Sequence, residues 1–325
     1  MIIKITKWLL AGLGLLAASL TLFLLSQPSM DDLGVPYHDE ASADDTDSPV
    51  TIRWFGVSTL LIDDGETQIM SDGFFSRPGM LDVLLERPLV SDPEFISQQL
   101  ATLNINRLAA IMPVHSHYDH AMDTGNVAKL SGAQILGSPT TANLAKSAGV
   151  NPNQITVVNT HTPYQFGKFT ITFYPSAHAP LASNEKISGM VNTVIELPAP
   201  YTAYKEGKSY AVHVAHPSGS LIIQGSAGFE PGSLAGVKSD LVFLGAGGLN
   251  MLPAEHRLKY VNEIVTQTQA KKVILVHHDN MFHKFGEIKL GMPFVNVDKD
   301  IALELKRWVS PAQLYQMKFS QAISF

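Results

Sequence analysis

The chain has 325 residues, 45% hydrophobic and 16% charged, a composition that excludes a disordered protein and suits a packed globular one. Of its net charge of −6, residues 1–49 supply −5 through two lysines against seven acids; the remaining −1 excludes the clustered basic footprint of a nucleic-acid binder. Cysteine is absent, which excludes disulfides, thiolate metal ligands and a cysteine nucleophile.

Lys4 and Lys7 precede an uncharged apolar run, Trp8 to Ser26, about long enough to cross a bilayer as a helix. A transmembrane helix is expected there. Residues 1–26 then form a membrane anchor, or a signal segment if cleaved. The lysines before the run place the rest on the extracytoplasmic side, periplasmic in a Gram-negative source and secreted after cleavage. Residues 27–49, with Asp31, Asp32, Asp39, Glu40, Asp44, Asp45 and Asp47, read as an acidic flexible tether, and residues 50–325 as one folded domain.

From Val50 short apolar runs alternate with turn residues: TIRWFGV, STLLIDDG and TQIMSDG predict a β-meander. An amphipathic stretch at FISQQLATL and a strand at LAAIMPV follow, then helices at NVAKLSG and TTANLAKSAGV around a strand at AQILGS. The second half predicts strands at KFTITFYPSAH, NTVIELP, SYAVHVAH, SLIIQGS, DLVFLGA and KKVILVHH, with a helix near EHRLKYVNEIVTQTQ. PAPYTAYKEGK reads as a long hairpin or flap, and VDKDIALELKRW as a C-terminal helix. Two strand-rich halves with interspersed helices predict an α/β protein, a sandwich of sheets covered by helices.

The densest chemistry is HSHYDH at 115–120, directly after LAAIMPV. Alternate residues leaving a strand can present His115 and His117 to one point, while the turn that follows brings Asp119 and His120 to a second. Neutral imidazoles and a carboxylate suit zinc or a similar borderline ion.

With this motif the chain resembles the metallo-β-lactamase fold superfamily, over roughly Val50 to Phe285, which implies an αββα sandwich of two mixed β-sheets flanked by helices. The resemblance implies that His178, in FYPSAHAP, completes a first metal site, and that His277, in VILVHHDN, completes a second with Asp119 and His120. Asp119 and His278 are the catalytic candidates, and Asp279 is a candidate for supporting the ligands or facing substrate. Asp72, in IMSDGFF, stands where an aspartate orients a ligand histidine. IIQGSAGF departs from the pattern: Ser226 occupies the place of a metal-bridging aspartate, so one or two Zn2+ ions are expected, with Mn2+ or Fe2+ also compatible.

Such a site implies hydrolysis by a zinc-bound water ionised near neutral pH. HSHYDHAMD, WFGVSTLLIDDG, SDGFFSRP and VHHDN look closest to the branch of N-acylphosphatidylethanolamine phospholipase D-like and ascorbate-phosphate lactonase-like proteins. A phosphodiester or lactone substrate follows, lipid-like if Met251, Leu252, Met281 and Phe282 line the mouth and the N-terminal helix meets a membrane. A zinc β-lactamase and a non-catalytic descendant that binds a metal or ligand are the alternatives. GAGGLN at 245–250 reads as a strand-to-helix turn beside the cleft, no Gly-x-Ser-x-Gly elbow occurs, and His213 and His216 are expected at the surface. Nothing in the sequence sets the oligomeric state.

Overall fold

Apolar alternation after Val50 produces β1 (Thr51–Trp54), β2 (Leu60–Asp63) and β3 (Gln68–Ser71); in β1 Ile52 and Trp54 are fully buried while Thr51 and Arg53 are partly exposed. The computed structural model describes residues 8, 12, 14, 15, 19, 28–38, 50–292 and 297–324. After β3 come α1 (Met80–Leu84) and α2 (Pro93–Thr102), the latter opened by Asp92, whose side chain accepts from the Phe95 N–H at 3.0 Å, with Pro93 at the first helical position. The half closes with β4 (Leu108–Met112), α3 (Tyr118–Ala121), α4 (Thr124–Ser131), β5 (Gln134–Gly137), α5 (Pro139–Ser147) and β6 (Ile155–Val157).

The second half runs β7 (Pro163–Phe166), β8 (Phe169–Ser176), β9 (Ser209–His216), β10 (Gly219–Gln224), β11 (Leu241–Gly245), α6 (Ala254–Val261), β12 (Lys272–Val276), α7 (Lys299–Trp308), β13 (Gln313–Tyr315) and β14 (Ala322–Ser324). One sheet has the order β14-β1-β2-β3-β4-β5-β6 and the other β13-β12-β11-β10-β9-β8-β7. Each joins an antiparallel half to a parallel half, with the change at β3 in the first sheet and at β10 in the second. Both sheets are therefore mixed, as the resemblance implies.

Ile52, Trp54 and Ile62 of the first sheet share one buried cluster with Phe173, Val212, Ile223 and Phe243 of the second, which also takes in Tyr260 and Leu305 of α6 and α7. On the outer face of the first sheet, Met70, Ile111 and Ile135 pack with Ile96, Leu100 and Val127 of α2 and α4. β11 (LVFLG) and β12 (KVILV) are near-continuous apolar runs because parallel strands in a covered sheet are buried on both faces. The result is the αββα layering.

Several expectations are corrected. Among the described residues no helix is long and apolar enough to cross a membrane, so the transmembrane helix is not supported; most of the run from Trp8 to Ser26 lies outside the described residues. Residues 28–38 are not a solvated tether. Met30, Leu33 and Val35 are buried in the main core, and Gln316 Nε2 donates to the carbonyls of Met30 (3.2 Å) and Val35 (2.7 Å). Residues 39–49 lie outside the description. NTVIELP forms no strand; among the described residues, the pairing beside it is a bridge between Ala199 and Leu89. PAPYTAYKEGK is not a hairpin but a packed loop with a short turn at Tyr201–Ala203 and Tyr204 buried. His216 is buried beside Phe169 rather than at the surface.

Candidate metal centre

Every ligand candidate follows the C-terminal end of a strand. His115 and His117 come after β4, Asp119 and His120 ride on the short α3, His178 lies two residues past β8, and His277 is the residue after β12. The topology gathers them into two groups. In one, His115, His117 and His178 bring ligand atoms all within 4.8 Å of one another; in the other, Asp119, His120 and His277 do the same.

Hydrogen bonds fix which ring nitrogen of three histidines is left for a metal. His120 Nδ1 lies 2.8 Å from Asp72 Oδ2, His117 Nε2 lies 3.2 Å from the Ile187 carbonyl, and His178 Nδ1 lies 3.0 Å from the Ala179 carbonyl. Each of these partners accepts, so the proton sits on the named nitrogen and the other nitrogen offers a lone pair. That freed atom is His117 Nδ1, 3.0 Å from His115 Nε2, in the first triad. In the second it is His120 Nε2, which is buried without a hydrogen-bond partner, 3.4 Å from Asp119 Oδ2. His277 Nε2 lies 3.2 Å from the same oxygen. An orphaned buried nitrogen facing a carboxylate and a second imidazole fits a cation and fits little else.

For the first triad and for Asp119 the electrostatics agree with the ligand forms; at His120, without an ion, the two carboxylates favour a proton where a cation would sit. Burial, reinforced by His120 and the other neighbouring imidazoles, drives His115 well below the ordinary histidine value. Burial pushes His117 down to about 3, with His178 adding and Asp119 opposing, and burial lowers His178. Burial alone would raise Asp119, but His120 and His277 outweigh it and hold the carboxyl below its usual range. For His120 burial pulls down, while Asp72 and Asp119 together win and raise it. The first triad is thus neutral at physiological pH, and Asp119 is anionic.

The surrounding backbone is shaped to the ligands. Asp72 sits at φ 56°, its Oδ1 accepting the Val114 N–H at 3.0 Å and its Oδ2 the Ser58 hydroxyl at 2.6 Å as well as His120. Ser226 makes no bridge between the triads; its hydroxyl accepts the Ala179 N–H at 3.0 Å and so steadies the residue after His178. At Gly228 a Cβ would stand 2.3 Å from the His178 carbonyl oxygen, and at Gly247 one would stand 2.9 Å from His277 Nδ1. The glycines of GAGGLN do serve a turn beside the cleft, since only a bare backbone fits against His277.

Other expected residues are placed elsewhere. His278 does not face substrate: it is 1% exposed, its ring stacks on Trp54 at 5.6 Å, and burial takes it down to about 4 against Asp279 and Gln316. His277 and His278 leave β12 on opposite sides, which one-dimensional adjacency hides. Asp279 is buried and holds the Val57 N–H and Arg77 instead of substrate. Leu252 is core, Met251 is exposed, and Met281 accepts the Tyr118 hydroxyl at 3.1 Å. Ser58 and the Ile187 carbonyl, which complete the surroundings of His120 and His117, carry no sequence signal, because nothing local marks a contact made 62 or 70 residues away.

No protein-family model matches the chain. A UPF0173 metal-dependent hydrolase of Rhizobium etli is 28% identical over 128 residues, covering 39% of this chain and 47% of the relative. The chain thus spans about half the length of the curated relatives it matches. Among solved structures, the metallo-β-lactamase fold protein YhfI of Bacillus subtilis superposes with a TM-score of 0.50 at 14% identity, over 84% of this chain and 98% of that one. CmlA, a diiron β-hydroxylase of Streptomyces venezuelae, gives a TM-score of 0.53 at 12% identity, over 85% of this chain and 54% of its own. At these identities the likeness is one of fold: the chain has the metallo-β-lactamase fold, the fold that HSHYDH and the strand pattern predict.

Proposed function

We propose that this chain is a metal-dependent hydrolase whose centre is held by His115, His117 and His178 on one side and by Asp119, His120 and His277 on the other. The observation that carries the reading is the pair of triads in which the second nitrogen of His117, His178 and His120 is already committed to an oxygen acceptor. Three imidazoles in one group, and two imidazoles with a carboxylate in the other, suit Zn2+, with Mn2+ and Fe2+ as competitors. When bound, such ions acidify water and polarise the oxygen of the bond to be cleaved. The chain's own residues hold the donors in place: Asp72 keeps the proton on His120 Nδ1, and Ser226 and Gly228 shape the backbone around His178. Because Ser226 is occupied by Ala179, the two triads share no protein ligand, and the second ion is the more weakly held.

The substrate we favour is a small molecule cleaved at an ester-type bond, a phosphodiester or a lactone. Support comes from the likeness of HSHYDHAMD, WFGVSTLLIDDG and VHHDN to the phospholipase D-like and lactonase-like branch, and from the name of the Rhizobium etli relative, a metal-dependent hydrolase. The test is elemental analysis of the purified protein together with turnover of bis(p-nitrophenyl) phosphate, a γ-lactone and nitrocefin, before and after chelation. Expected are close to two ions per chain and turnover of the phosphodiester or the lactone that chelation and His117→Ala both abolish. Turnover that survives both overturns the hydrolase reading, and rapid nitrocefin cleavage with the esters untouched replaces the ester by a β-lactam.

A further inference from the structure

Two residues past His277, the buried carboxylate of Asp279 is committed on both oxygens. Its Oδ1 accepts the Val57 N–H at 2.7 Å, and its Oδ2 lies 3.2 Å from Arg77 Nη1, with both side chains almost fully enclosed. Arg77 Nη2 donates to the Phe55 carbonyl at 2.8 Å, and the guanidinium lies over the Phe74 ring. A buried ion pair is by itself weak evidence of stability, so its placement calls for another reason.

That reason lies in Val57. Its N–H is held by Asp279, while its carbonyl accepts the His277 N–H at 2.8 Å and Trp54 Nε1–H at 2.9 Å. Val57 (φ 48°), Arg77 (φ 43°) and His277 (φ 56°) all occupy the left-handed region that non-glycine residues rarely adopt, least of all a β-branched one. Such conformations persist only where the surroundings enforce them. Gly56, at φ 88°, makes room for the clamp: a Cβ there would stand 2.0 Å from Arg77 Nη2 and 2.6 Å from Asp279 Oδ2.

We propose that the Arg77–Asp279 pair is a positioning device for His277, fixing Val57 so that its carbonyl holds the His277 backbone where Nε2 meets Asp119. This rests on the metal-centre reading above. The clamp touches the second triad through His277 and makes no hydrogen bond to His115, His117 or His178 among the described residues. Its loss therefore weakens one ion and spares the other.

The test titrates metal-free protein with Co2+, following visible absorption and bound metal, in Arg77→Met and in the charge-neutral Arg77→Met/Asp279→Asn variant. The double variant is included because a lone buried carboxylate can unfold the first; Arg77→Lys, which keeps a cation beside Asp279, gives the same readout if both melt. Expected is a 10–100-fold weakening of one of two equivalents, the range typical for partners that orient metal ligands. In a His277→Ala background the same substitutions should change Co2+ binding no further. Two equivalents bound as in the wild type overturn the inference, as does a loss that persists undiminished in the His277→Ala background. A wild-type protein that takes up no second ion overturns the metal-centre reading itself, a result distinct from either.

Discussion

Asp72 grips His120 and the end of the neighbouring strand at once, its Oδ2 2.8 Å from His120 Nδ1 and its Oδ1 accepting the Val114 N–H at 3.0 Å. One carboxylate thus ties the tautomer of a ligand to the register of β3 against β4. Asp72→Asn replaces one of two acceptor oxygens by an NH2 donor, so either the Val114 N–H or the pair formed by the Ser58 hydroxyl and His120 Nδ1 loses its acceptor. The expected outcome is about 10–100-fold weaker binding of the ion at Asp119, His120 and His277, read by competition against a chelating dye. Unchanged competition would show that His120 needs no such partner.

Gly228 predicts the complementary loss. With a Cβ 2.3 Å from the His178 carbonyl oxygen and 2.4 Å from that of Ala177, Gly228→Ala must push two backbone carbonyls aside. Elemental analysis of the folded variant should find the ion of the His115, His117 and His178 group missing and the other retained. A full complement of both metals would mean that the loop gives way without moving His178.

Leu33 tests whether residues 28–38 belong to the core. It is 2% exposed and packs in the main cluster, so Leu33→Ala is expected to cost about 2–5 kcal/mol in urea unfolding. A solvated tether would lose nothing measurable.

His213 predicts a pH dependence away from the metal centre. Burial holds its imidazole below the ordinary value, against a smaller contribution from the Lys238 backbone. A depressed histidine leaves the folded state neutral where the unfolded chain takes up a proton. Its contribution is therefore complete above the unfolded value of about 6.5 and is lost as pH falls below it, toward the lower folded value. Urea midpoints measured at pH 8 and pH 5 with chelator present should fall less in His213→Phe than in the wild type. Equal falls would assign the acid sensitivity to other groups.

Much of the centre was legible because its chemistry is local and dense. HSHYDH packs four ligand candidates into six residues, and KKVILV and KFTITFYPS deliver His277 and His178 from short apolar, β-branched and aromatic runs that read as strands. Legibility ended where burial depends on distant chain. His277 and His278 are identical by composition, yet one meets Asp119 and the other stacks on Trp54. Acidic neighbours masked Met30, Leu33 and Val35, which join a core built from distant chain, with Gln316 bonding the carbonyls of Met30 and Val35. β13 and β14 are three residues each, too short to carry a period. NTVIELP alternates like a strand but finds no partner to complete a ladder, and a strand exists only in a pair.

The pairing of β14 with β1 also orders events during synthesis. Thr51–Arg53 align with Ala322–Ser324, so β1 waits on a strand that is made much later. Until that strand emerges from the ribosome, β1 is an open edge with unsatisfied backbone groups, the kind of surface on which nascent chains stick to one another. The strap at residues 28–38 waits on Gln316 in the same way. The first sheet is consequently sealed only after β14 has been translated, and chaperone demand should be greatest in the interval between β1 and β14.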